Sequence, residues 1–383
     1  MAVNPFHYGT PASGDFFTGR EQELAALTSR VRNGINVVVT APRRYGKTSL
    51  LERACAELTR SRAAIVRINV LQCPDLATLA AKLASETYSL PGGTWRRARH
   101  AVPEFLRRFR VTPIITFDEG GHPTFLFSPG LSGPRADELV ADVYAILSSL
   151  SAKRPAALVL DEFQAVPELG PHLPSLLKAL ADEHPQVSLV LAGSRRHLME
   201  ELVLNTGAPL YNMAERIALG PIDPPTMEAF LVARADSAGK PMSRSAAGEL
   251  VALAGPVPHD IQRLAYETFD AAGRRINSDD VVAGLERIVM HEASAYSDRF
   301  SRLGIGQRRV LQALAERSPL EQPYTAEFAR RVGYAGPPGV RRAVIALEDD
   351  ELVESRANGL VVADPFFAWW LRGLRSGVAP VED

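Results

Sequence analysis

The segment Ile35-Asn36-Val37-Val38-Val39-Thr40-Ala41-Pro42-Arg43-Arg44-Tyr45-Gly46-Lys47-Thr48 constrains this chain more than any other stretch. A short apolar run leads into a tight loop and then Gly-Lys-Thr. Leu50, Leu51, Ala54, Cys55 and Leu58 follow at helical spacing. Strand, loop and helix in that order build a phosphate cradle. The loop Ala41, Pro42, Arg43, Arg44, Tyr45 and Gly46 and the first helical turn, Lys47, Thr48 and Ser49, surround the phosphates with inward-facing backbone N–H groups. Lys47 is placed to reach the β- and γ-phosphates, and the Thr48 hydroxyl to ligate Mg²⁺. Ala41 stands where such loops have their first glycine, a substitution that a strand end tolerates better than it would the loss of Gly46. The expected ligands are ATP or ADP with Mg²⁺.

A length of 383 residues exceeds one ordinary domain. The net charge of −1 gives no global pull toward nucleic acid or an acidic membrane. Most of the basic residues are arginine, in a chain also rich in alanine, so arginine-rich stretches are weaker binding signals than they look. Two cysteines, Cys55 and Cys73, make no disulfide framework, and no metal-ligand spacing is present. No apolar run reaches spanning length, and the start, Met1 to Gly9, is neither basic nor followed by a hydrophobic signal core. A soluble, cytoplasmic protein without membrane partners is expected.

After an amphipathic N-terminal helix, strands and helices alternate, as in a parallel sheet covered on both faces. Residues 91–130 read as an insertion. It has a basic stretch with Trp95, then a β-hairpin whose two apolar runs flank Asp118-Glu119-Gly120-Gly121. The pattern turns helical after Pro221, and a small module begins near Ser301. The expected fold is α/β: a P-loop core with its parallel sheet over 1–220, an all-α lid over 221–296 and a winged helix-turn-helix over 297–383.

The other half of such a site is an apolar strand ending in acids, and Ala156-Ala157-Leu158-Val159-Leu160-Asp161-Glu162 fits. Asp161 would hold the Mg²⁺ shell, and Glu162 would orient and deprotonate the attacking water. Asp118 and Glu119 lie in a Gly-Gly turn and read as turn residues. The next strand ends at Ala192-Gly193-Ser194-Arg195-Arg196, where Ser194 or Arg195 could sense the third phosphate, since strand carboxyl ends line the ligand crevice. One of the two arginines could instead reach a neighbouring subunit's nucleotide in an ATP-dependent self-assembly. The run Gly255-Pro256-Val257-Pro258-His259-Asp260 could bring Pro258 from the lid against the nucleotide, or could simply start a helix.

With these motifs in place the chain resembles the prokaryotic AAA+/STAND-type ATPases of the archaeal-ATPase group, relatives of origin-recognition ATPases. The segment Asn4-Pro5-Phe6, with Phe17-Thr18-Gly19-Arg20-Glu21, is similar to that group's N-terminal box near the adenine. Asp364-Pro365-Phe366-Phe367-Ala368-Trp369-Trp370-Leu371 is similar to the end of its winged-helix module. The resemblance implies ATP binding, slow hydrolysis, a nucleotide-driven switch, and Arg20 and Pro258 as nucleotide-side residues. It does not carry the substrate. Ala41 departs from the pattern, as does the lack of a clear lid arginine.

In the last module Thr325 reads as a helix N-cap, and Asn358-Gly359 closes a hairpin that makes the wing. Trp369 and Trp370 read as core of the last helix. Arg341 and Arg342 sit where a recognition helix meets double-stranded DNA, with Arg330, Arg331 and Arg356 as phosphate contacts. Against them stand Glu348, Asp349, Asp350, Glu351 and Glu354. The expected function is an ATP-hydrolysing switch that binds DNA through this module in a nucleotide-dependent way. The alternative is a nucleotide-gated scaffold whose winged helix contacts a protein partner. A small-molecule phosphotransferase would need an acceptor pocket with its own base, which the sequence does not supply.

Overall fold

Runs of consecutive apolar residues, too short for helices, are what a parallel sheet buried on both faces requires. The structure is a computed structural model describing residues 3–12, 14–90, 114–117, 123–126, 133–356 and 358–376. The chain divides into two units, one over Thr10–Pro221 and one formed by the residues up to Gly9 with those from Ile222 onward.

In the first unit, helix α1 (Glu21–Arg32) precedes β1 (Val37–Thr40), and α2 (Lys47–Arg60) follows the loop. Then come β2 (Ala64–Asn69), α3 (Leu76–Tyr88), and the strands β3 (Ile114–Phe117) and β4 (Pro123–Leu126). Helix α4 (Gly133–Ser151), β5 (Ala156–Asp161), α5 (Leu173–Glu183), β6 (Val187–Gly193) and β7 (Glu215–Ala218) complete it. The main sheet has five parallel strands in the order β2-β5-β6-β1-β7. Every residue of β1, β5 and β6 is buried. β6 therefore separates β1 from β5. The registers Thr40↔Gly193 and Asp161↔Ala192 bring three strand ends to one edge.

β3 and β4 pair antiparallel as the expected hairpin, from Ile114↔Leu126 to Phe117↔Pro123. The turn with Asp118 and Glu119, and the basic stretch with Trp95, lie outside the described residues.

The second unit begins with four helices: α6 (Pro224–Ser237), α7 (Arg244–Ala254), α8 (Pro258–Ala271) and α9 (Ser278–Ser301). Side chains cap three of their starts, with Asp223 on Thr226, Ser243 on Ala246 and an Asn277–Asp280 capping box. The winged helix follows as α10 (Ile305–Glu316), α11 (Ala326–Arg331), α12 (Pro337–Asp349), β8 (Val353–Arg356), β9 (Gly359–Val362) and α13 (Pro365–Ser376). Thr325 caps α11 by accepting from the Phe328 N–H at 3.2 Å.

The boundary expected between residues 296 and 297 falls inside α9, which runs through from lid to winged helix without a break. Around it the two share one core. Tyr296 of α9 packs on Phe367 and Trp370 of α13, with ring centroids 5.1 and 6.1 Å away, and donates its hydroxyl to Asp364. Arg263 of α8 pairs with Glu292 and lies over the Phe366 ring. Trp370 is buried, as expected of the last helix, and Trp369 is half-buried under Arg372. The N-terminal residues, placed by the sequence pattern with the 1–220 core, pack with this second unit because Phe6 is fully buried among the lid helices. Asn4 pins the segment by donating to the Tyr266 carbonyl and to Asp270.

Truncating Trp370→Ala is expected to cost about 3–5 kcal/mol. Hydrogen exchange should show protection falling together in α8, α9 and α10. Loss confined to residues 305–373 would mean that the winged helix is a separate cooperative unit.

Candidate functional site

The site is assembled at the carboxyl edge of β1, β5 and β6. Gly46 stands at the N-cap of α2 with φ +86°, and no atom lies within 4 Å of a Cβ placed there. The demand for glycine is thus conformational rather than steric. From the first turn of α2, Lys47 points back beneath the loop. Its Nζ donates to Asp161 Oδ1 and, at 2.9 Å, to Glu162 Oε1.

Successive residues of a strand face opposite ways, so Asp161 and Glu162 could not both meet Lys47 in extended backbone. The chain leaves β geometry at Glu162, which takes the left-handed conformation φ 55°, ψ 43° at a cost of about 1–2 kcal/mol.

Asp161 is fully buried, yet every side of its carboxylate is engaged. Oδ1 accepts from Lys47 and from the Glu162 N–H at 3.0 Å. Oδ2 accepts from Thr48 Oγ1 and from Arg67 of β2, each at 3.4 Å. Glu162 accepts on Oε2 from Gln164 Nε2 at 2.5 Å and from Ser194 Oγ at 2.9 Å. Burial works to raise the Glu162 pKa. Lys47 beside it and the donors Gln164, Lys47 and Ser194 outweigh that and hold the carboxyl below the usual range. Beneath the acids, burial pushes the Cys55 thiol up to about 11 against the pull of Arg67, so it stays protonated.

Thr48 and Asp161 place two hard oxygen donors side by side. That set suits Mg²⁺, which takes one or two protein oxygens and completes its shell with phosphates and water. Among the described residues no cluster of three His, Cys, Asp or Glu side chains competes as a metal site.

The structure thus brings Lys47, Thr48, Asp161, Glu162 and Ser194 together. Pro42, Arg43 and Arg44 form the exposed rim of the loop, while Ala41 and Tyr45 are buried under it. Ser49 accepts from the Ala12 N–H and so ties down the N-terminal approach. Arg195 is exposed and makes no hydrogen bond or ion pair with the acids, and the Arg196 side chain lies outside the described residues. Arg20 is buried and donates to the carbonyls of Tyr45 and Gly220 while pairing with Glu23 at 3.0 Å. Its guanidinium props the phosphate loop from behind. Pro258 opens α8 in the other unit. Arg67 and Gln164 were not legible as site residues in the sequence. The alternation in β2 that puts Arg67 on the same face as Asn69, partner of Asp161, was the available signal.

On the winged helix, Arg330, Arg341 and Arg342 are exposed and have no carboxylate partner among the described residues, while Arg341 lies 5.0 Å over the Tyr324 ring. Arg356 is paired with Glu354 at 2.8 Å, and Arg331 with Glu316 at 2.8 Å.

Comparison with known proteins agrees with this geometry. Residues 17–192 match the family model "AAA ATPase domain", and residues 294–373 match the model "Probable winged helix domain". The chain is thus similar to an AAA ATPase domain over residues 17–192 and to a winged helix domain over residues 294–373. Among solved structures it is similar to the Walker-type ATPase Paby2304 of Pyrococcus abyssi, with 19% identity, TM-score 0.66, and 96% of this chain and 99% of that chain covered. It is also similar to the Aeropyrum pernix ORC2 protein, with 15% identity, TM-score 0.55, and 98% and 97% covered. At such identities the likeness is one of fold. Among curated proteins, none matches the chain.

Arg20→Ala would remove its donor from the buried Tyr45 carbonyl and the half-buried Gly220 carbonyl. It is expected to destabilise the nucleotide-free protein by about 1–3 kcal/mol, read as a lower melting temperature before any nucleotide is added. An unchanged melting temperature with weakened ATP binding would make Arg20 a ligand contact instead.

Proposed function

We propose that this chain is an ATP-hydrolysing switch whose winged helix binds double-stranded DNA in response to the nucleotide. The observation that carries the reading is the cluster of Lys47, Thr48, Asp161, Glu162 and Ser194 at one sheet edge. ATP binding draws Lys47 off the two carboxylates and onto the β- and γ-phosphates. Thr48 and Asp161 are then free to hold Mg²⁺, which neutralises phosphate charge when bound. Ser194 turns to the γ-phosphate. Glu162 orients the attacking water and takes its proton as the bond to the β-phosphate oxygen breaks, leaving ADP and phosphate. The loop residues 41–49 cradle the phosphates through their backbone N–H groups.

The DNA part of the reading is supported by Arg330, Arg341 and Arg342, whose charges no acid neutralises among the described residues. A second reading, in which the winged helix meets a protein, is favoured by the pairing of Arg356 with Glu354, which removes the wing's charge. No described helix is long and apolar enough to cross a membrane. The unpaired thiols of Cys55 and Cys73 fit a reducing, cytoplasmic setting.

Steady-state ATP hydrolysis by the purified chain, with and without duplex DNA, tests the first reading. Lys47→Ala should abolish nucleotide binding, whereas Glu162→Gln should keep binding and lose turnover. Equal losses of ATP affinity in both variants would overturn these roles for Lys47 and Glu162. Turnover indifferent to DNA would turn the reading toward a protein partner.

In a salt titration of DNA affinity, Arg341→Ala and Arg342→Ala should each flatten the log–log slope by about one. Arg356→Ala should leave the slope nearly unchanged, because Glu354 already holds that charge. An equal effect at all three positions would contradict this division of the surface.

A further inference from the structure

Gln164 is 8% exposed and sits in the short helical turn that follows Glu162. Its Nε2 donates to Glu162 Oε2 at 2.5 Å and reaches Ser194 Oγ at 3.5 Å. The orientation of the amide follows from the network, since a carbonyl oxygen in that place would face a carboxylate. Its Oε1 meets no donor among the described residues. A Cβ at Gly193 would meet the Met199 side chain first and lie 2.7 Å from Gln164 Oε1, so the glycine leaves room for both side chains.

We infer that Gln164 is the positioning residue of Glu162, holding its carboxylate through both the idle and the reacting states. The inference rests on Glu162 being the base. In the ligand-free site Glu162 accepts from Lys47, Gln164 and Ser194. Three donors weaken the carboxylate as a base, and Lys47 holds Oε1, so the site is parked. Phosphates claim Lys47 and the γ-phosphate claims Ser194. Gln164, buried with its Nε2 on Glu162 Oε2, keeps its hold when the other two donors leave. It then fixes Oε2 while Oε1 turns to the water. The strained backbone of Glu162 sets the direction of the side chain, and Gln164 sets its rotation.

The test is a double-mutant cycle on the full chain, with single-turnover ATP hydrolysis, equilibrium binding of a fluorescent ATP analogue and thermal melting as readouts. Gln164→Met keeps the volume and removes the unpartnered acceptor along with the donor, so the melting temperature should hold. Its hydrolysis rate should fall by about tenfold to a hundredfold, with analogue affinity within about twofold. In a Glu162→Gln background the same change should alter the residual rate by less than about twofold, since Gln164 acts through Glu162. Gln164→Glu, which sets a second carboxylate against the base, should lose at least as much.

Equal factors in both backgrounds, or affinity falling as far as rate, would make Gln164 a structural residue and overturn the inference. Undiminished turnover in Glu162→Gln alone would overturn the assignment of the base itself, whatever Gln164 does.

Discussion

The rest of the first unit depends on the pairing of Lys47 with a carboxylate that has no access to water. Asp161 is 0% exposed at the end of a strand buried along its whole length. An isolated charge in that position costs several kcal/mol, so cations and donors must come to it. They arrive from three separate elements: Lys47 and Thr48 from α2, Arg67 from β2, and the Glu162 N–H from the turn. The phosphate loop is held down by the same contact from within and by Arg20 on the Tyr45 carbonyl from behind. With no ligand present, a cation suited to phosphate, Lys47, and oxygen donors suited to Mg²⁺, Thr48 and Asp161, are already held together at the strand ends. Binding exchanges partners instead of building a site from disorder, which limits the reorganisation that accompanies reaction.

The second unit follows a different logic. Its sheet among the described residues is only the two-stranded β8–β9 wing, so its organiser is a long helix. α9 buries Leu285 and Ile288 in the shared core and packs Tyr296 on α13, and Arg263 ties α8 to both Glu292 and the Phe366 ring. With one core on both sides of this helix, a displacement of the lid carries the winged helix with it within this unit, because no flexible linker separates them.

The parts of this arrangement that the sequence disclosed are those written locally. The phosphate loop is visible because strand, glycine and helix are contiguous. The acids at 161–162 stand at the end of a buried strand of six residues, whereas those at 118–119 are followed in the sequence by Gly120-Gly121 and lie outside the described residues. Thr325 and Asn358-Gly359 likewise act on their immediate neighbours. What stayed hidden is written across distance. Arg67 reaches Asp161 over 94 positions, and only the β2–β5 register makes them neighbours. Phe6 is plainly apolar, but nothing near it says that it packs among helices more than two hundred residues away. The break expected after residue 296 falls within a continuous helix, because helical periodicity runs through Tyr296, whose burial appears only once α13 is in place.

Gln164 was missed for a different reason, since it lies two residues from an acid the sequence identified. Read as a strand, Asp161, Glu162 and Gln164 would scatter over two faces, and a glutamine there would look like an ordinary surface residue. The left-handed step at Glu162 changes the arithmetic. It ends the strand, starts a tight turn, and swings residues 162 and 164 to the side where Ser194 and Lys47 already stand. A conformation that costs energy locally is kept because it lets one short stretch supply the buried carboxylate, the adjacent acid and the amide that holds that acid.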